Sequence, residues 1–441
     1  GIALDATNGA VYFSKNGVWQ NSGNPTSGSS KTGAAITWTA PIEYVFAFAE
    51  YNGSNCTVNF GQDSSFAGAK TAQGNQDANG IGDFTYTPPT GFLALCTKNL
   101  PDVAVVPSEH FNPVLYTGNA TARSITGVGF QPDLVWTKGR SAAWQNRLTD
   151  AVRGAGKELE SDSSGAENTS NDLTSFNSDG FALGTSNNGN ANGVSFVAWS
   201  WKANGSGSSN TAGTINTTVS ANVDAGFSII SYTGTDAAAT IGHGLSKKPE
   251  LIIFKNRDNS QGASDWDTYV ESIGATKFMS LNLTTVAASS VTRFNNTEPT
   301  ATLIHLKNSY HTNYDKMIAY AFHSVDGYSK VGSYNGNGNA DGTFIYTGFK
   351  PAFVMVKNTT NAGEGWVIVN NKTDPINPIG TYLSANLSYQ EQGTSGTTSS
   401  RSFDFLSNGF KLRGNSTEVN ENTPIIYIAF AETPFKYSNA R

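Results

Sequence analysis

The feature that most constrains this chain is a unit of about one hundred residues written three times after residue 102. Its landmark is a proline that opens an apolar run and a lysine that closes it. The copies read Pro132-Asp-Leu-Val-Trp-Thr-Lys138, Pro249-Glu-Leu-Ile-Ile-Phe-Lys255 and Pro351-Ala-Phe-Val-Met-Val-Lys357. A tyrosine-led turn precedes each proline: Tyr116-Thr-Gly-Asn119, Tyr232-Thr-Gly-Thr235 and Tyr334-Asn-Gly-Asn337. Each copy closes on a small residue between an aliphatic and an aromatic: Val197-Ala198-Trp199, Ile318-Ala319-Tyr320 and Ile428-Ala429-Phe430. Tandem modules of this kind point first to a display or binding protein and second to an enzyme.

Within each copy, short β-branched and aromatic runs alternate with Gly/Asn/Ser turns, and sustained helical periodicity is missing. The fold class expected is therefore all-β: tandem antiparallel β-sandwich domains. The divisions fall at 1–102, 103–222, 223–327 and 328–441, with the three repeats in series after an amino-terminal sandwich. Side chains alternate along a strand, so Val197 and Trp199 share a core face, as do Ile318 with Tyr320 and Ile428 with Phe430. Ala198, Ala319 and Ala429 lie on the other face. Their small size fits either a second layer in close approach or an exposed edge. Residues 156–171 and 392–400 read as loops, and 203–210 as a linker or long exposed loop.

Composition narrows the setting. Only 14% of the 441 residues are charged, while glycine reaches 46 and Asn, Ser and Thr cover the surface. This is the look of a loop-rich extracellular or virion protein, in which amides and hydroxyls satisfy turn backbones. The net charge of -6 comes without a basic cluster, which argues against a grip on nucleic acid or an anionic membrane. No apolar run approaches the roughly 20 residues of a spanning helix. Gly1-Ile-Ala-Leu-Asp5 already reads as an interior strand, so residues are expected upstream. Cys56 and Cys96 sit in apolar, strand-like contexts and are expected to be buried free thiols.

Motifs for chemistry are sparse. His323-Ser-Val-Asp326 holds the residue types of a triad, but within one turn after a strand, where a working triad draws on separate elements. Glu158, Glu160, Asp162 and Glu167 read as solvated loop acids. Asp265 and Asp267 flank Trp266 and read as an exposed strand face rather than a glycosidase pair. His305, His311 and His323 are too irregularly spaced for zinc, and 335–342 lacks the acid count of a calcium loop. No metal or cofactor is expected, and no catalytic residue is assigned. Lys138, Lys255 and Lys357 read as strand ends whose charge snorkels into water. Trp144, Trp266 and Trp366 follow them. Recognition is expected on the loops 156–171, 204–217, 256–264 and 392–400, with Trp144 and Trp266 as the nearest aromatic platforms for a ligand.

Two resemblances extend this reading. In the first region, Gly1-Ile-Ala-Leu-Asp5, Tyr12-Phe-Ser-Lys-Asn-Gly17 and Val58-Asn-Phe-Gly61 resemble the later part of a SPRY domain, a concanavalin-like β-sandwich. Asn16-Gly17 and Tyr51-Asn-Gly53 mark hairpins there. Over about 103–441, the repeats resemble a β-domain of tailed bacteriophages. The stretches that carry this are Gly226-Phe-Ser-Ile-Ile-Ser-Tyr-Thr-Gly234, Gly242-His-Gly-Leu245, Gly327-Tyr-Ser-Lys-Val-Gly-Ser-Tyr334, Leu406-Ser-Asn-Gly-Phe-Lys-Leu412 and Pro434-Phe-Lys-Tyr-Ser-Asn-Ala-Arg441. That family consists of large structural polypeptides, and the resemblance implies a non-enzymatic virion protein. A tail fibre or other appendage displaying β-sandwiches for attachment to host-surface glycans fits it. The alternative is a surface-glycan hydrolase whose repeats are carbohydrate-binding modules. The partners expected are other virion proteins, host glycans and further copies of the chain as a homotrimer. Fibre symmetry supplies the number three, and the alanine faces supply flat contact surfaces.

Overall fold

The computed structural model describes residues 1–39 and 56–437. The chain forms two compact units, Gly1–Asp102 and Val103–Arg441. In the first, Ile2–Asp5, Ala10–Lys15, Val18–Trp19 and Ile36–Thr37 make one four-stranded antiparallel sheet. Asn16 and Gly17 turn its hairpin with φ of 50° and 81°, the left-handed pair that a two-residue turn between twisted strands requires. Ala3, Ala10 and Tyr12 form a small core with Trp19 and Phe92. The expected second hairpin at Tyr51-Asn-Gly53 lies outside the described residues, and the stretch after it, Cys56 onward, is irregular rather than a strand. The described part of this unit thus shows one sheet where a sandwich was expected. With no strand to bury them, Cys56 is exposed and Cys96 half-buried, both as free thiols; their expected burial is corrected accordingly.

The second unit repeats one antiparallel sheet three times. In the first repeat its order from one edge is Phe111–Thr117, Ser195–Trp201, Leu134–Gly139, Arg147–Asp150, Lys157–Glu160 and Asn168–Thr169. In the third it is Ser329–Asn335, Pro424–Pro434, Phe349–Asn358, Trp366–Asn370, Thr381–Ser384 and Gln392–Gly393. The second repeat follows the same path from Phe227–Thr233 to Ala288–Ser289, then adds the hairpin Ser208–Asn210 and Thr217–Asn222 at its first edge to reach eight strands. That hairpin corrects the boundary drawn at 222. Thr217–Asn222 is hydrogen-bonded to Phe227–Thr233, and Ser208–Asn210, the end of the 203–210 segment read as a linker or long exposed loop, pairs with Thr217–Asn222 and so belongs to the second sheet. Part of 156–171, read as loop, likewise supplies two short strands.

The closing strand of each copy is central, paired on both sides, and both its faces are buried. One face packs on a smaller sheet of the same repeat. In the third repeat that sheet is Phe344–Tyr346, Gly409–Leu412 and Phe403–Leu406. Here lie Phe196 and Ala198, Ala319 and Ala321, Ala429 and Ala431, in three separate cores. The alanines therefore serve a second layer of the same domain, and the faces proposed for contact with another copy are covered within the chain.

The opposite faces meet one another. Val197, Trp199 and Trp201, Ile318, Tyr320 and Phe322, Ile426, Ile428 and Phe430 belong to a single core drawn from all three repeats. Phe111 stacks on Phe430 with ring centroids 4.9 Å apart, and Phe322 meets Phe430 edge-on at 5.9 Å. A small, wholly apolar cavity lies in this core, lined by residues of every copy. The repeats are not in series, as expected from the sequence; they close around a common axis. A largely apolar second face forces this, because a sheet with two greasy faces must bury both.

Candidate functional site

Each turn of the ring is pinned by the same three groups. Tyr116 donates its hydroxyl hydrogen to the carbonyl of Gly189 (2.8 Å), Tyr232 to Thr312, and Tyr334 to Val419 (2.7 Å). Beside each tyrosine, a fully buried asparagine ties the turn to a later loop. Asn190, Asn313 and Asn420 accept from the backbone N–H of Asn119, Thr235 and Asn337, each at 3.0 Å. Their amide hydrogens go to two carbonyls apiece, as with Asn190 to Thr121 and Gly184 at 2.8 Å. The glycine of each turn permits this approach: a Cβ on Gly336 would stand 2.2 Å from the Asn420 carbonyl carbon. The tyrosine turns were legible in the sequence. The asparagines were not, since they sit at different distances from every other landmark.

The three lysines are buried completely rather than snorkelling outward. Lys138 donates to the carbonyl of Trp144, Lys255 to Ser264 (2.6 Å) and Ser164 (3.1 Å), and Lys357 to Glu364 (2.9 Å) and Asn358 (3.0 Å). Each ammonium binds a carbonyl of the loop that follows its strand, and Lys255 also takes one from the first repeat. Burial drives the amines down to about 8 in all three, against the partial support of nearby carboxylates such as Asp162 beside Lys138.

Strand register overturns the equivalence of the three tryptophans. Lys357 pairs with Trp366, and the same register sets Lys255 opposite Trp266 but Lys138 opposite Asn146. Trp266 is fully buried in the shared core, so the aromatic platform expected there is absent. Its indole N–H points at the carbonyls of Glu160 (2.8 Å) and Ser163 (3.1 Å) in the first repeat. Trp366 reaches Ser280 of the second repeat at 3.0 Å. Asn146 donates to Ser384 and Leu387 of the third, both at 3.1 Å. Every repeat thus hydrogen-bonds the one before it, and the first closes on the third. Trp144 is half-buried against the first repeat's own core.

A second ring of contacts lies just outside. The N–H of Glu167 donates to Arg257 O (2.8 Å), Ala287 to Thr359 O (2.9 Å) and Glu391 to Arg140 O (2.9 Å), at equivalent places in all three seams. Two of the seams add ion pairs, Arg257–Glu167 and Arg140–Glu391, each 2.8 Å long. The acids read as solvated are mostly taken up here and beneath. Glu158 and Glu160 pair with Arg147, and Asp162 accepts from Asn146 N at 3.0 Å. Burial raises Glu158 to about 7 and Asp162 to about 6. Asp267, expected on an exposed face, is fully buried against Arg293 and is pushed to about 7 by that burial. Its neighbour Asp265 accepts from Asn282 at 2.8 Å, which fixes the turn before Trp266.

The triad-like turn is not assembled as one. Ser324 gives its hydroxyl hydrogen to Glu250, while His323 Nδ1 donates to the Ser324 carbonyl at 2.9 Å. Among the described residues, no three His, Cys, Asp or Glu side chains converge as a metal site would require.

Fold and site together define a class: a three-repeat, ring-closed β protein whose modules share one core. The chain belongs to the family described as a domain of unknown function (DUF7483), which matches residues 106–434 and so takes in the whole ring. No curated protein and no solved structure matches the chain.

Proposed function

We propose that this chain is a non-enzymatic structural protein of a tailed-phage particle, a fibre or other appendage that presents loops to glycans of the host surface. The observation that carries the reading is how the ring is used. The buried lysines, arginines and acids hold loops and seams together, while the loops after the lysines stand at one end of the axis. A Cβ on Gly327 would touch Val103 at 2.5 Å and Pro434 at 3.4 Å, and Pro434 pairs with Phe349 at the far end of the strand that Lys357 closes, so residues 103 and 434 lie together at the other end. A rigid body with both ends of its chain segment at one end and loops at the other suits display. The resemblance of the repeats to phage structural β-domains supplies the setting and supports a virion location.

Association with further copies belongs to the same proposal. Because the alanine faces are covered, such contact falls on outer edges and loops, and sedimentation of the purified protein reads it. The central test is adsorption. Purified protein is added to host cells, and a variant with 256–264, the loop after Lys255, replaced by a short Gly-Ser turn is compared. A folded variant that adsorbs as well as the parent removes this loop from the contact, and a parent that does not adsorb makes the chain a stalk. Release of soluble oligosaccharide from host polysaccharide makes it a hydrolase.

A further inference from the structure

The three small sheets offer an internal comparison. Their inward residues agree: Ile125, Ile241 and Ile345 are all buried, as are Phe181 and Phe410. Their outward residues do not. At the register positions of Ser124 and Thr126 in the first repeat, the third carries Phe344 and Tyr346. The second carries Thr240 and Gly242 there. Phe344 and Tyr346 are 43% and 58% exposed and, two residues apart on one strand, stand about 7 Å apart on the same face. The fold does not need them. Gly180 and Gly409 hold the same tight place, each with a hypothetical Cβ 2.1 Å from an isoleucine carbonyl oxygen, and only Gly409 has an aromatic ring over it.

Polar groups complete the row. Lys411 lies directly across from Phe344, and Asp404 across from Lys411. Each charge nearby is matched: Lys411 pairs with Asp341 at 2.6 Å, and Arg413 with Asp404 at 3.4 Å. The face therefore combines two exposed rings with hydrogen-bonding groups and no excess charge. A pyranose ring presents the complementary chemistry, with C–H groups on one face to lie on an aromatic ring and hydroxyls at its rim for the ionic pairs. Charge balance favours a neutral sugar over a uronic or sialic acid.

We propose that this outer face of the third repeat, built on Phe344 and Tyr346 with Lys411 and Asp404 beside them, is a binding site for a neutral hexopyranose unit of a surface glycan. It rests on the host-attachment reading and specifies where on the ring the sugar sits. The lysine-end loops then shape access and do not themselves form the platform.

The test is the double variant F344S/Y346T, which installs the residues the first repeat carries at the same positions. Parent and variant are titrated against a panel of neutral tetrasaccharides built from glucose, galactose or mannose. The parent is expected to bind at least one member. The variant is expected to weaken that binding by about tenfold or more while its melting curve is unchanged. No binding by the parent, a smaller loss in the variant, or binding confined to anionic sugars overturns the site. Adsorption to host cells separates this from the broader reading: a parent that adsorbs equally with its variant removes the site alone, whereas a parent that fails to adsorb removes host attachment.

Discussion

Trp366 of the third repeat donates its indole N–H to the carbonyl of Ser280 in the second, 3.0 Å away. Trp266 makes the equivalent bond to the first repeat, and Asn146 returns the ring from the first to the third. One residue position therefore measures closure in each seam. It does so with an indole twice and a carboxamide once, which is why motif spacing alone mistook Trp144 for the third member.

A ring with one core unfolds as one body. Truncation after Gly327 removes Phe353, Met355, Ile428 and Phe430 and exposes the apolar faces of the two remaining sheets. The shortened chain is expected to aggregate or to lack a cooperative melting transition. Independent sandwiches in series would instead leave the first two melting as before, so calorimetry of both chains separates the arrangements.

Trp266 and Trp144 are expected to differ sharply on truncation. Trp266→Ala empties a fully buried site and frees two carbonyls of the first repeat, at a cost of about 3–5 kcal/mol. Trp144→Ala, at a half-buried position, is expected to cost less than about 2 kcal/mol. Urea unfolding of each variant reads both numbers.

The buried asparagines carry equal loads. Asn190→Ala, Asn313→Ala and Asn420→Ala each leave a backbone N–H and two carbonyls unpaired. Each is expected to cost about 2–4 kcal/mol, and the three values to agree within about 1 kcal/mol. A near-neutral result at any one of them shows that its turn is held by other contacts.

Stability is expected to rise with pH above about 8. The lysine amines are held down to about 8 when folded, against 10.5 in the unfolded chain, so between these limits the unfolded state binds more protons. Buried Tyr116, Tyr232 and Tyr334 act the other way near pH 10, because burial lifts their pKa above the ordinary tyrosine value and the unfolded tyrosines ionise first. Chemical denaturation between pH 8 and about 9.5 isolates the lysine effect. Lys357→Met is expected to flatten the slope by about a third, and an unchanged slope assigns the rise elsewhere.

The all-β class and the threefold repeat were legible in the chain because strand alternation and turn chemistry are local. Tyr116, Pro132 and Lys138, and the pairing of Asn16 with Gly17, announce themselves within a few residues. Even the two-faced burial of Ala198 and Trp199 left a trace in the small residue between large ones. What local pattern does not contain is the partner of a buried face. Ile428 reads the same whether it packs on its own repeat or on two others, so three sandwiches in series and one closed ring share a single sequence pattern. Charge was misread for the same reason. Lys255, Asp267 and Glu158 look solvated until folding brings up the carbonyls and arginines of neighbouring strands and loops that receive them. Alternation along each strand settled which residues lie together; only packing around the axis decided which of them face water, because burial depends on what the rest of the molecule places opposite.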